Sequence, residues 1–126
     1  MTTASAAFLG FRPAALSFFK GLRAHNDPVW FKPKKALYEA EVLAPLRQLV
    51  VAVGAMLEEA GLPLVGDPQR GIFRIYRDVR FSSDKRLYKT HAGAVLTRSG
   101  NKRDPGLLYL HLEPGASMHP GIRDRR

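Results

Sequence analysis

The chain has no cysteine among its 126 residues, which excludes disulfides, thiolate nucleophiles and cysteine-ligated metals. It has one tryptophan, no internal repeat, and no apolar run that reads as approaching the ~20 residues of a membrane span. Acidic side chains are scarce: 11 stand against 20 lysines and arginines, for a net charge of +9. None occurs before Asp27, and this acid-free, basic start imitates a transit peptide. A secretory signal is disfavoured, because no charged region precedes the first apolar residues. Also missing are a P-loop, a G-x-S-x-G elbow, an H-E-x-x-H zinc motif and a dinucleotide glycine fingerprint. Ser82 to Lys85 spells S-x-x-K, but the companion motifs of that acyl-transfer pattern are absent.

What is present suits one globular domain spanning residues 1–126. Hydrophobic residues make up 45% and charged residues 25%, and a chain of this length buries about two-thirds of its unfolded surface. The basic balance fits phosphate, nucleic acid or an anionic surface, and equally a protein with solvated charges. A cytoplasmic setting requires nothing further of the composition, and no membrane association is expected.

Proline and glycine divide the chain. Met1–Ala7 reads as a loose terminus. Pro13 suits a first helical turn, and Ala15, Leu16, Phe18, Phe19 and Leu22 continue at helical spacing, predicting a helix from Pro13 to Ala24. Asp27 before Pro28 caps a further turn carrying Trp30 and Phe31 into the core. Pro33 opens a helix with Leu37, Tyr38 and Val42, which Pro45 must kink or restart. Leu46, Leu49, Val50, Val53, Met56, Leu57 and Ala60 form one apolar face of a helix that Gly61 ends. Leu62–Gly71 is a loop. Then Phe73, Ile75, Val79 and Phe81 alternate with Arg74, Tyr76, Asp78 and Arg80, predicting a half-buried strand. Arg77 falls on its apolar face, either paired inside or re-aimed by a bulge. His91–Thr97 and Leu107–Glu113 predict two more strands, and the short connections require antiparallel pairing. The expected class is α+β: N-terminal helices packed on an antiparallel sheet of about three strands.

The residues richest in chemistry lie between Ile72 and His91. On a strand, residues two apart lie about 6.6 Å from each other on one side, so Arg74, Tyr76, Asp78 and Arg80 form a row. Arginine forks match carboxylate or phosphate oxygens. If the connection Ser82–Thr90 folds back, Lys85 and Lys89 close a cationic pocket with Arg74 and Arg80. The plainer alternative is Asp78 pairing with its neighbours on a solvated face. A second constellation is His91, His111 and Glu113, which can bind a metal or act as acid and base, or simply form a His–Glu hydrogen bond or lie exposed on the sheet; no spacing signature marks a metal site there. Candidate catalytic residues are thus Asp78, His91, His111 and Glu113, and candidate anion ligands Arg74, Arg80, Lys85 and Lys89. No metal or cofactor is implied. Nucleic acid, gripped by Arg98–Arg103 with Tyr76 or Tyr109 stacking, is less favoured, because Asp78 and Asp84 interrupt the cations and no recognition module appears.

Several of these pieces together resemble a known family, the domain of unknown function 2461. They are Gly10-Phe11 with Ala15-Leu16; Asn26 ahead of Trp30-Phe31; Tyr38; Pro45; FRIYRDVRFSSDK at 73–85; Tyr88-Lys89-Thr90-His91; and Tyr109 to Gly115, YLHLEPG. The resemblance runs from Phe8 to Gly115. It implies N-terminal helices with a sheet, and it places the N-terminal helix inside the domain rather than in a transit peptide. It implies no activity and lends no catalytic residue. The family pattern continues past YLHLEPG into a glycine-rich, tryptophan-containing segment, so this chain resembles the N-terminal part of a larger domain with an atypical tail at 116–126. A sheet edge left open there favours pairing with another chain; the oligomeric state is not readable.

Three functions follow as alternatives: a site for an anionic small molecule on the basic strand, a nucleic-acid or protein interaction module on the same surface, or a structural role with paired arginines.

Overall fold

The computed structural model describes residues 10–121, with side chains as far as residue 115. The loose terminus expected at Met1–Ala7 and the last five residues lie outside it.

Helix α1 is Pro13–Ala24, with proline in its first turn. It buries Ala15, Phe18, Phe19 and Leu22, the stripe expected from their spacing. Asp27 caps the next turn by accepting from the Trp30 N–H at 2.9 Å. From Pro28 the backbone stays helical to Glu59. It passes through α2 (Pro28–Phe31), a 3-10 turn (Lys32–Lys34), α3 (Lys35–Tyr38), a π turn (Glu39–Leu43) and α4 (Ala44–Glu59). The π turn is how the chain absorbs Pro45. Proline has no N–H to give and crowds the carbonyl four residues back. The widened turn lets the Ala44 N–H reach the Glu39 carbonyl instead. Gly61, with φ 76°, ends α4. The Leu62 and Gly61 N–H groups return to the carbonyls of Leu57 and Glu58 at 2.9 and 3.0 Å, a Schellman closure.

The apolar face expected on α4 is only half realised. Leu46 and Val50 are buried, Leu49, Val53 and Leu57 are partly covered, and Met56 is 67% exposed. The run Pro28–Glu59 is, by length and composition alone, long and apolar enough to cross a membrane. This corrects the expectation of no such segment, which overlooked that two prolines leave the helix unbroken.

The sheet is antiparallel, in the order β1-β2-β3. Strand β1 is Ala92–Leu96 and β2 is Leu108–Glu113, both where alternation placed them. Ala92, Ala94 and Leu96 pair with Leu112, Leu110 and Leu108. That face meets α1 and the stripe Tyr38, Val42, Leu46, Val50 in one core. Burying each such side chain contributes about 1.5–3 kcal/mol. Strand β3, Ala116–Gly121, is formed by backbone to which the family resemblance gave no place; it pairs with β2.

The strand expected over Phe73–Phe81 is not one, and this is the main correction to the fold. The segment changes partner midway. Around Ile72 it bonds to β1, through Phe73 N–H to Gly93 O at 3.0 Å and Val95 N–H to Gly71 O at 2.8 Å. From Ile75 it pairs instead with its own return, through Arg77 N–H to Leu87 O at 2.9 Å and Lys89 N–H to Ile75 O at 2.7 Å. Aspartates then capture the backbone, as short acidic side chains do in competition with a ladder. Asp78 accepts from the Arg80 N–H and Asp84 from the Arg86 N–H. Alternation reported side-chain burial as far as Val79, but Phe81, expected on the same apolar face, is 94% exposed, and the ladder that alternation implies has no single partner strand.

Candidate functional site

The helical run carries two parallel stripes, each stepping by four residues. Tyr38, Val42, Leu46 and Val50 face the core. Lys35, Glu39, Leu43 and Arg47 lie beside them and form one wall of a cleft of about 260 Å³. In a regular α-helix a four-residue step drifts by about 40°. The π turn, at fewer degrees per residue, sets that drift back, so the stripe stays on the cleft. The opposite wall comes from the segment that leaves the loop and enters the partner-switching stretch, chiefly Gln69, Phe73, Arg74 and Tyr76. Lys102, from the loop before β2, closes one end, and Phe31, Ile72 and Ile75 lie beneath.

Charge is distributed unevenly. The cleft wall holds Lys35, Arg47, Arg74 and Lys102 against one carboxylate, Glu39. Among the described residues, none of those four cations takes part in an ion pair. Five acids are paired elsewhere, in Arg12–Glu41, Arg23–Glu113, Arg70–Asp67, Arg80–Asp78 and the Arg77–Asp84–Arg86 group. The Arg47 Nε is buried and has no hydrogen-bond partner. An unsatisfied buried donor costs about 1–3 kcal/mol. Beside it, burial pushes the Tyr38 phenol up to about 12, opposed in part by the Arg47 charge. Tyr38 therefore stays a neutral hydroxyl. Burial also lowers Lys89, with the nearby Lys102 and Arg74 charges adding to the effect, so positive charge is crowded at this end of the cleft.

The residues named from sequence divide between three places. Arg74 is at the cleft, its guanidinium 5.7 Å from the centre of the Tyr76 ring. Lys89 does not line the cleft but lies over Phe73, which does, at 5.6 Å. Arg80 and Lys85 are elsewhere. The Arg80 fork grips Asp78 through bonds of 3.1 and 2.9 Å, and the Lys85 ammonium donates to the Val79 carbonyl at 2.7 Å. Asp78 is held below the usual carboxylate range by that side-chain contact first and by the Arg80 N–H second. Arg77 resolves its odd placement by pairing: its Nη1 donates to the carbonyls of Arg86 and Asp84 at 2.7 and 3.2 Å. It is a buttress of the turn. Ser82 Oγ accepts from the Asp84 N–H, and the Lys85 ammonium donates to the Val79 carbonyl and not to Ser82.

The third place is the outer sheet face. His111 Nε2 lies 2.5 Å from Glu113 Oε1, and the His91 ring stacks on His111 at 4.7 Å. Glu113 is lowered chiefly by the His111 contact, then by the His111, His91 and Arg23 charges. None of these three lines the cleft. Among the described residues no group of histidine and carboxylate side chains is arranged to hold a metal.

Sequence reasoning missed Lys35, Arg47 and Lys102, the first two because charges on a helix read as a solvated face. The i, i+4, i+8, i+12 spacing from Lys35 to Arg47 was the available signal. It also missed Asn26, whose amide clamps the Tyr88 backbone, accepting from its N–H at 2.9 Å and donating to its carbonyl at 3.0 Å. One side chain thereby ties the end of α1 to the return limb carrying Tyr88 and Lys89.

A family model described as "Conserved hypothetical protein (DUF2461)" matches residues 14–122. The chain belongs to this family. The DUF2461 match takes in α1, the whole cleft and the sheet. No curated protein and no solved structure gives a significant match to the chain. The family description names no activity, so function rests on the geometry of this DUF2461 domain.

Proposed function

We propose that this domain binds a small anionic molecule in the cleft between the Lys35–Arg47 stripe and the segment that runs through Arg74. One observation carries the reading. Lys35, Arg47, Arg74 and Lys102 all line the cleft, and among the described residues none of them is in an ion pair. Cations gathered in one cleft without counter-charges suit an anionic ligand. Guanidinium groups offer two parallel N–H bonds to phosphate or carboxylate, and bonds to charged partners contribute about 1.5–3 kcal/mol each. The anion ligands are then Arg47, Arg74, Lys35 and Lys102, with Lys89 adding field. Arg80 and Lys85 drop out, being committed to Asp78 and the Val79 carbonyl. Asp78, His91, His111 and Glu113 have no part in it. A cytoplasmic setting, where phosphorylated and carboxylated metabolites are held, belongs to the same reading. Nucleic acid is less well supported, because Arg80 and Arg86 are neutralised by neighbouring aspartates rather than forming a stripe.

The test is isothermal titration with phosphate, pyrophosphate and citrate. Saturable 1:1 binding should be lost in Arg74→Ala and kept in Arg80→Ala. Binding that survives Arg74→Ala but disappears with Arg80→Ala would move the site to the turn and refute the cleft.

A further inference from the structure

The cleft has a second character besides charge. Opposite Arg47 its wall is aromatic. Tyr76 is 48% exposed, an unusual state for a ring whose back is so well supported. Phe31 meets it edge-on at 6.5 Å and Tyr88 lies at 5.6 Å. Phe31 and Tyr88 are themselves stacked at 4.5 Å and buried. The Tyr76 ring is thus held from behind, and its open side contributes to the cleft. The Arg74 guanidinium lies over the ring, 5.7 Å from its centre, so a guanidinium fork and an aromatic surface meet at this wall. Volume sets the scale. A cavity of about 150 Å³ takes a benzene ring, so the 260 Å³ here is room for one ring and one anionic group.

We propose that the ligand, resting on the anion-site reading above, is a free small molecule carrying one flat ring next to its anionic group: an aryl or heteroaryl phosphate or carboxylate. The ring lies against Tyr76 and the anion against Arg74 and Arg47. Inorganic anions bind the same cations with the ring half empty.

The experiment compares phenyl phosphate with methyl phosphate, which share the charged group and differ in the ring. Stacking on an aromatic side chain is expected to favour phenyl phosphate by about tenfold or more in Kd. Tyr76→Ala should remove the preference for phenyl phosphate over methyl phosphate, while Tyr76→Phe keeps it. The melting curve of each variant checks folding, and Tyr76→Leu serves if the alanine variant is unfolded. Equal wild-type affinities for the two esters, or a preference that survives Tyr76→Ala, overturns the ring assignment and leaves the anion site standing. Failure of both esters and of pyrophosphate to bind overturns both. A phosphotyrosine tripeptide that binds more tightly than phenyl phosphate overturns the assignment to a free molecule.

Discussion

Replacing Arg47 by methionine separates an anion ligand from a structural arginine. Methionine keeps the unbranched stem, and with it the packing that long basic side chains contribute. It removes the charge and the orphaned Nε. If Arg47 is there for a ligand, the unliganded wild type carries the penalty of a buried, unpaired donor, about 1–3 kcal/mol. The variant should therefore be more stable without ligand, by about 1 kcal/mol, or about 4 °C in Tm for a domain of this size. The liganded comparison runs the other way. At a concentration of 100 Kd, ligand stabilises the wild type by about 2.7 kcal/mol, near 10 °C, and the variant should show none of it. Paired melts with and without pyrophosphate at neutral pH read both numbers. A variant that is less stable than wild type without ligand, yet shifts as fully with it, refutes the reasoning.

Further outcomes follow from other contacts. Asn26→Ala removes both bonds to the Tyr88 backbone and should cost about 2 kcal/mol in urea unfolding; Asn26→Asp should recover part of it, since a carboxylate still accepts from the Tyr88 N–H. At Gly21 a Cβ would stand 2.3 Å from the Trp30 ring. The gain in helix propensity of about 1 kcal/mol is then outweighed by overpacking of about 1–3 kcal/mol, and Gly21→Ala should lower Tm and shift tryptophan emission to the red; a higher Tm with unchanged emission contradicts this. The lowered Glu113 contributes stability above its ordinary value of 4.5, lost as the pH falls through the folded value. Glu113→Gln should flatten the acid limb of the stability–pH curve, by a modest amount because the carboxylate is 36% exposed.

The helices were legible because their periodicity and punctuation agree. Pro13, Asp27 and Gly61 stand where helix ends require them, and Phe18, Phe19 and Leu22 repeat at the helical step. Strands β1 and β2 were legible for the same reason, through Ala94–Leu96 and Leu108–Leu112. The stretch Phe73–Phe81 misled because alternation registers which side chains are covered, and coverage survives a change of hydrogen-bond partner between Phe73 and Ile75 before it fails at Phe81. The cleft was half legible. Arg74 stood out among β-formers, whereas Arg47 looked like any charge on a helix. Its place depends on a π turn that Pro45 accounts for only once the helix is seen to run through it. Lys102 came from a loop whose path no local pattern encodes. For Arg80 and Lys85 the sequence shows a cation and hides the Asp78 side chain or Val79 carbonyl that each contacts.

The proposed anion lies against the Arg47 and Arg74 guanidinium groups that line the cleft, and side-chain NMR of the arginine Nε–Hε groups tests this during a pyrophosphate titration. The Arg47 and Arg74 resonances should shift together and saturate at one equivalent site, with those of Arg80 and Arg86 unmoved. Shifts confined to Arg80 and Arg86, or an Arg47 resonance indifferent to the anion, would contradict the account.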